Sequence, residues 1–172
     1  MNIVKHLLVA AVAISLSSAA LAARDAEQEL GASLAKPAAV ADANQTLLIT
    51  VGSAGKSQIA GIDFQSDGTA TALQFAVLLP KGVKGVNADD CVSGLPSNFS
   101  GKCFVSNDKS NVAFVIYSAG GEALPAGMQT IGSISFDSAS KAAAGQMKVG
   151  GLEVVAEKGK KLASAAKVVG VD

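Results

Sequence analysis

The chain has 172 residues, with 14 Lys and Arg, 14 Asp and Glu, a single His and no Trp. Charges in this balance make no long-range field that would gather nucleic acid or anionic lipid, so nucleic-acid binding is not expected. The length suits one domain able to bury a core of its own without a structural metal.

A basic start at Lys5, an apolar stretch from Leu7 to Leu16, a run of small residues and then Ala20-Leu21-Ala22 have the order of a secretory signal peptide over 1–22, with cleavage between Ala22 and Ala23. His6 lies inside that segment, so the exported chain has no imidazole and lacks the commonest acid, base and metal ligand. Loss of Lys5 tips the charge balance to one acid in excess. The apolar run of the leader is short for a membrane span, and nothing later approaches about 18 uninterrupted apolar residues, so the mature chain is expected to have none. A lipoprotein anchor needs Cys directly after the leader, where Ala22 and Ala23 stand. The expected location is the periplasm or the extracellular space.

Residues 23–45 are Ala-rich and polar, contain Pro37 and have no bulky apolar cluster, which reads as a flexible linker. From 46 to 172 the texture changes to short runs of Val, Ile, Phe and Thr divided by Gly, Ser, Asn and Asp, the pattern of successive strands and turns. The spacing predicts strands at 46–51, 58–64, 71–79, 103–106, 111–118, 130–136, 147–155 and 162–169. About nine such strands in one domain predict an all-β, jelly-roll-like antiparallel sandwich. Within 71–79, Leu73, Phe75, Val77 and Leu79 share a face expected to be buried, and Ala72, Gln74, Ala76 and Leu78 form a partly buried one. In 111–118 both faces are apolar, so that strand is expected to be central.

Cys91 and Cys103 both fall in the exported part, and an even count in an exported chain favours a disulfide. Their spacing is not that of a C-x-x-C redox site, and a zinc site needs more Cys or His than remain. Ala54-Gly55-Lys56-Ser57 resembles the end of a phosphate-binding loop, but the first glycine that loop requires is Thr50 here, so a polar turn is expected. Ser-x-x-Lys occurs at Ser33/Lys36, Ser53/Lys56, Ser106/Lys109, Ser138/Lys141 and Ser164/Lys167, a frequency that reflects composition rather than a nucleophile and its base. Asp89, Asp90, Asn107, Asp108 and Asn111 could gather oxygens for Ca²⁺ if their loops converged, but follow no calcium-loop spacing and suit ordinary turns. Asn98-Phe99-Ser100 matches a glycosylation sequon and argues for exposure of the Cys loop. Most aromatic residues sit in strand patterns that look like core; Phe99 is the best exposed candidate, although a place over the disulfide is the slightly favoured reading of it. No catalytic residue, metal ligand or cofactor is expected.

Residues 70–80 (ATALQFAVLLP), 82–86 (GVKGV), 111–117 (NVAFVIY) and 127–136 (GMQTIGSISF) follow one another in an order that, over 46–155, resembles a bacterial cohesin-type domain. That β-sandwich group also contains carbohydrate-binding modules. Cohesins often have Tyr-Asp where this chain has Leu79-Pro80, and a cysteine-bridged loop is not a general feature of theirs. The resemblance implies a nine-stranded jelly roll that binds a protein module or a polysaccharide without catalysis. The expected function is an exported, non-enzymatic binding module that recognises another protein through a sheet face. The alternative is a carbohydrate-binding module of the same fold superfamily.

Overall fold

Successive side chains of a strand point to opposite sides, so every alternating run in this sequence can bury one face only by packing against another sheet. The computed structural model describes residues 44–55, 57–137 and 143–171 and shows that solution. The expected leader 1–22, its cleavage site at Ala22 and Ala23, and nearly all of the expected linker lie outside the described residues.

Among the described residues, ten strands form two five-stranded sheets: β1 (Gln45–Ala54), β2 (Ser57–Ser66), β3 (Ala70–Leu78), β4 (Val86–Asn87), β5 (Phe99–Val105), β6 (Asn111–Ser118), β7 (Gly127–Phe136), β8 (Lys148–Ala156), β9 (Lys161–Leu162) and β10 (Ser164–Gly170). One sheet has the order β10-β1-β2-β7-β4 and the other β5-β6-β3-β8-β9. The strand expected at 162–169 is divided at Ala163, because Lys161 and Leu162 pair with β8 in one sheet while β10 crosses to β1 in the other. Every pairing is antiparallel except that of β10 with β1, which is parallel from Gln45↔Ser164 to Val51↔Gly170.

The two inner faces interdigitate into one core. Leu47, Ile49, Ile62, Phe64, Ile134 and Phe136 come from the first sheet, and Leu73, Phe75, Val77, Val112, Phe114 and Ile116 from the second. Phe75 and Phe114 lie directly opposite across β3 and β6, with ring centroids 4.6 Å apart and planes 9° from parallel. The inward set expected for 71–79 is the buried set. On β8, one extra residue intervenes between the partners of Gln74 and Ala76, and Gly151, at φ 60°, lets the backbone make that bulge without a Cβ clash.

The segment between β4 and β5 closes the open side of the sandwich. After β4 it stays hydrogen-bonded to β7: the Ser133 amide donates to the Asp90 carbonyl at 3.0 Å, and the Gly94 amide donates to the Ile131 carbonyl at 2.9 Å. A β-carbon at Gly101 would fall within 3.0 Å of Val92 and closer to Leu95, so the side chains of this segment fill the space beneath β5. Cys91, itself buried, is bonded to Cys103 on the inward side of β5, with an S–S distance of 1.94 Å. The bridge thus joins the loop that lies along one sheet to the edge strand of the other.

Gly132 marks the tightest approach in this region. A β-carbon there would collide with the Asp90 carbonyl oxygen and sit 2.5 Å from the carbonyl carbon of Cys91, both of them backbone atoms that cannot rotate away. Gly132→Ala is therefore expected to destabilise the fold by about 1–3 kcal/mol, the range of an overpacked site. A chemical denaturation midpoint unchanged from that of the parent protein would show that the loop does not pack as described.

Candidate binding face

The register of β5, β6, β3 and β8 decides which residues share the outer face of the second sheet, because directly opposed residues point the same way. Three rows cross it: Phe104, Ala113, Ala76 and Gly150; Lys102, Val115, Gln74 and Glu153; and Ser100, Tyr117, Ala72 and Val155. Phe104 is 58% exposed, Tyr117 49% and Val115 40%. Ala76 and Ala113 are buried yet lie outside the apolar core, so they form a low floor between taller neighbours.

The face is polarised across its width. Toward β8 and β9, the Gln74 amide donates to Glu153 at 2.7 Å, and Glu153 pairs with the Lys161 ammonium. Toward β5 and β6, the exposed apolar side chains Phe104, Val115 and Tyr117 stand beside the single cation Lys102. The outer face of the other sheet differs. Thr50, Gly61 and Ser133 line up across it, and its exposed apolar residues are Ile59 and Val171, which flank Gly52, and Met128 near the opposite end of β2.

Exposed apolar groups clustered on one sheet face are a feature of surfaces that meet a partner or ligand. The described residues include no group of three or more His, Cys, Asp or Glu placed to hold a metal. The carboxylates with shifted titration serve their own turns. The Ser106 hydroxyl donates to Asp108 at 2.7 Å, helped by the Ser110 amide and hydroxyl, and holds that carboxyl below its ordinary pKa. Ser118 does the same for Glu122, and Thr69 for Asp67, which also accepts from the buried Gln45.

The residues singled out in the sequence fall as follows. Cys91 and Cys103 are joined, as expected. Asp89 accepts from the Asn87 side-chain amide, and Asp108 from Ser106 and Ser110, so each is occupied within its own turn. In the Ser106/Lys109 pair, the Ser106 hydroxyl donates to Asp108 while the Lys109 ammonium donates to the Lys84 carbonyl, so neither activates the other. Ala54 and Ser57 are opposed at the end of the β1–β2 hairpin, the polar turn expected there.

Two outcomes bear on which rings are exposed. Phe99 is only 7% exposed and belongs to the core, while Phe104 and Tyr117 are the exposed rings. β6 is an inner strand of its sheet, between β5 and β3, as expected, and its second apolar side, Val115 and Tyr117, faces outward uncovered. A signal for both existed in the alternation. A bridge that draws Cys103 inward turns Phe104 outward, and inward Val112, Phe114 and Ile116 turn Val115 and Tyr117 outward.

The parallel pairing of the first and last strands completes two facing five-stranded sheets, and comparison of this backbone with solved structures finds cohesins. It is the cohesin fold. A type I cohesin–dockerin complex from Clostridium thermocellum superposes with a TM-score of 0.55 at 14% identity, covering 78% of this chain and 96% of that one. The non-cellulosomal cohesin of the hyperthermophilic archaeon Archaeoglobus fulgidus gives 0.50 at 11% identity, over 72% of this chain and 86% of that one. A type II cohesin module from a scaffoldin of Acetivibrio cellulolyticus gives 0.50 at 10% identity, over 76% and 96%. No protein-family model matches the sequence, and no curated protein matches it. The likeness to cohesins is thus one of backbone architecture, reached with few identical side chains.

Proposed function

We propose that this chain is an exported, non-enzymatic module that binds another protein through the outer face of the β5-β6-β3-β8 sheet. The observation that carries this reading is the grouping of exposed Phe104, Val115 and Tyr117 on that face, beside the polar set Gln74, Glu153 and Lys161. Aromatic anchors next to a polar margin are the usual composition of the few residues that dominate a protein interface. One of the structures that shares the fold was solved as a cohesin–dockerin complex, which supports a protein as the partner. The leader-like sequence over 1–22 supports export, and so does the disulfide, since such bonds persist in oxidising compartments.

Tyr117→Ala and Phe104→Ala test the face. Each is expected to weaken capture of the native partner by roughly thirtyfold, about 2 kcal/mol, the size of an interface hot spot. Stability should stay within about 0.5 kcal/mol of the parent, as for an exposed site. Affinity-purified partner that binds both variants as tightly as the parent would exclude this face.

The two rings Phe104 and Tyr117, exposed on one side of one sheet, also favour a second reading, a polysaccharide stacked across the face. Retention on an insoluble polysaccharide in high salt, lost in both variants, would select it over the protein partner.

A further inference from the structure

β5 is the outermost strand of its sheet, seven residues long, without proline and without a bulge in its pairing to β6. Antiparallel pairs alternate between those that exchange hydrogen bonds and those that do not. The Ser106 amide donates to the Asn111 carbonyl at 3.0 Å, which places Ser106 and, two by two, Phe104, Lys102 and Ser100 in the bonded set. Phe99 belongs to the other set, and its amide points away from β6 to the Pro96 carbonyl at 2.9 Å. The amides and carbonyls of Gly101, Cys103 and Val105 therefore point off the sheet, and none of them is hydrogen-bonded among the described residues. Beside this open edge, Phe104 and Val105 are both exposed.

An open row of backbone donors and acceptors is a template for another strand. We propose that the edge of β5 docks a second copy of this chain, strand against strand, about a two-fold axis at Cys103. With that centre, Gly101 meets Val105 of the second copy, Cys103 meets Cys103, and Val105 meets Gly101, so every outward-pointing residue of one edge finds its counterpart. On the outer face, Lys102 lies across from Phe104 of the second copy, and its aliphatic stem and charge cover a ring that is exposed in the single chain. A two-fold axis one residue earlier would oppose the two Lys102 ammonium groups, which is unfavourable across a strand pair. One earlier again, at Gly101, would require the Phe99 amide that Pro96 already holds. An axis one residue later, at Phe104, would set Gly101 against Asn107 in the following turn, so only the axis at Cys103 pairs all three open residues among themselves. The pairing sets two Val115 and Tyr117 surfaces side by side on one continuous face, but it does not depend on what that face binds.

Sedimentation equilibrium of the disulfide-intact protein, alone, over a range of concentrations tests the pairing. The expected result is a reversible monomer–dimer equilibrium. Phe104→Lys sets two lysines opposite each other twice in the dimer and should weaken it by at least about tenfold, while Phe104→Glu sets a carboxylate against Lys102 and should preserve it. Val105→Pro removes an outward amide without touching the β6 ladder and should also dissociate the dimer. Amide exchange gives a readout independent of any variant. Protection of Gly101, Cys103 and Val105 should rise with protein concentration, while Ser100, Lys102 and Phe104 stay protected throughout. A monomer at every concentration would overturn the proposal, as would a dimer indifferent to Phe104→Lys and Val105→Pro whose Gly101, Cys103 and Val105 amides exchange freely.

Discussion

Phe114→Ala is expected to destabilise the protein by about 3–5 kcal/mol, the range for truncating a fully buried phenylalanine. The ring has no solvent exposure, and it stacks on Phe75 across the β3–β6 pair, so its removal takes away both the burial of an aromatic surface and an aromatic partner. The surrounding residues belong to two sheets whose backbones are held by ladders on both sides, which limits collapse around the space left. A domain of this size has about 5–15 kcal/mol of net stability, so the loss is a large share of the whole. Urea denaturation would measure it. A shift below about 1 kcal/mol would mean that the two sheets are not packed through this pair.

Cys91→Ala combined with Cys103→Ala is expected to cost about 3 kcal/mol, from the added freedom of the unfolded chain when a loop of this length is no longer closed. The two residues are 12 apart in sequence. The structure predicts where the change is felt as well as its size. The bridge anchors the segment that hydrogen-bonds to β7 through Asp90 and Gly94 and fills the space under Gly101 with Val92 and Leu95. In the double variant, amide exchange at Ser133 and Gly94 should accelerate more than at Ile49 or Ile62 in the core. Uniform acceleration throughout the chain would show that the bridge acts only on the unfolded state. Since β5 carries Lys102 and Phe104, looseness there would reach both the proposed binding face and the proposed edge contact.

The strands were legible because their signals are local. The 111–118 strand spans the apolar run between polar Asn111 and Ser118, and Leu73, Phe75, Val77 and Leu79 declare an inward face by spacing alone. The cysteine pair was legible for a different reason: the chain has only two cysteines, and the expectation of export favoured joining them. The two-residue β4 escaped notice, because Val86–Asn87 is too short for any periodicity and forms only where β7 offers Ser135 and Phe136 as partners. The candidate face was half legible. Its strands were seen, but Phe104 and Tyr117 were not singled out among the rings, since an apolar ring in a strand carries no local mark of which side is covered.

The sequence by itself therefore determined the secondary structure class, the rough strand positions, the inward set of β3 and the bridge between Cys91 and Cys103. All of these depend on neighbours a few residues apart or on the inventory of the chain. Only the tertiary structure decided that β10 runs parallel beside β1, that the loop after β4 follows β7, and that the second apolar side of β6 is left open to solvent. The physical reason is that burial and strand pairing belong to pairs of segments distant in sequence. A strand with two apolar faces satisfies the same local preferences whether its outer side is covered by protein or by water.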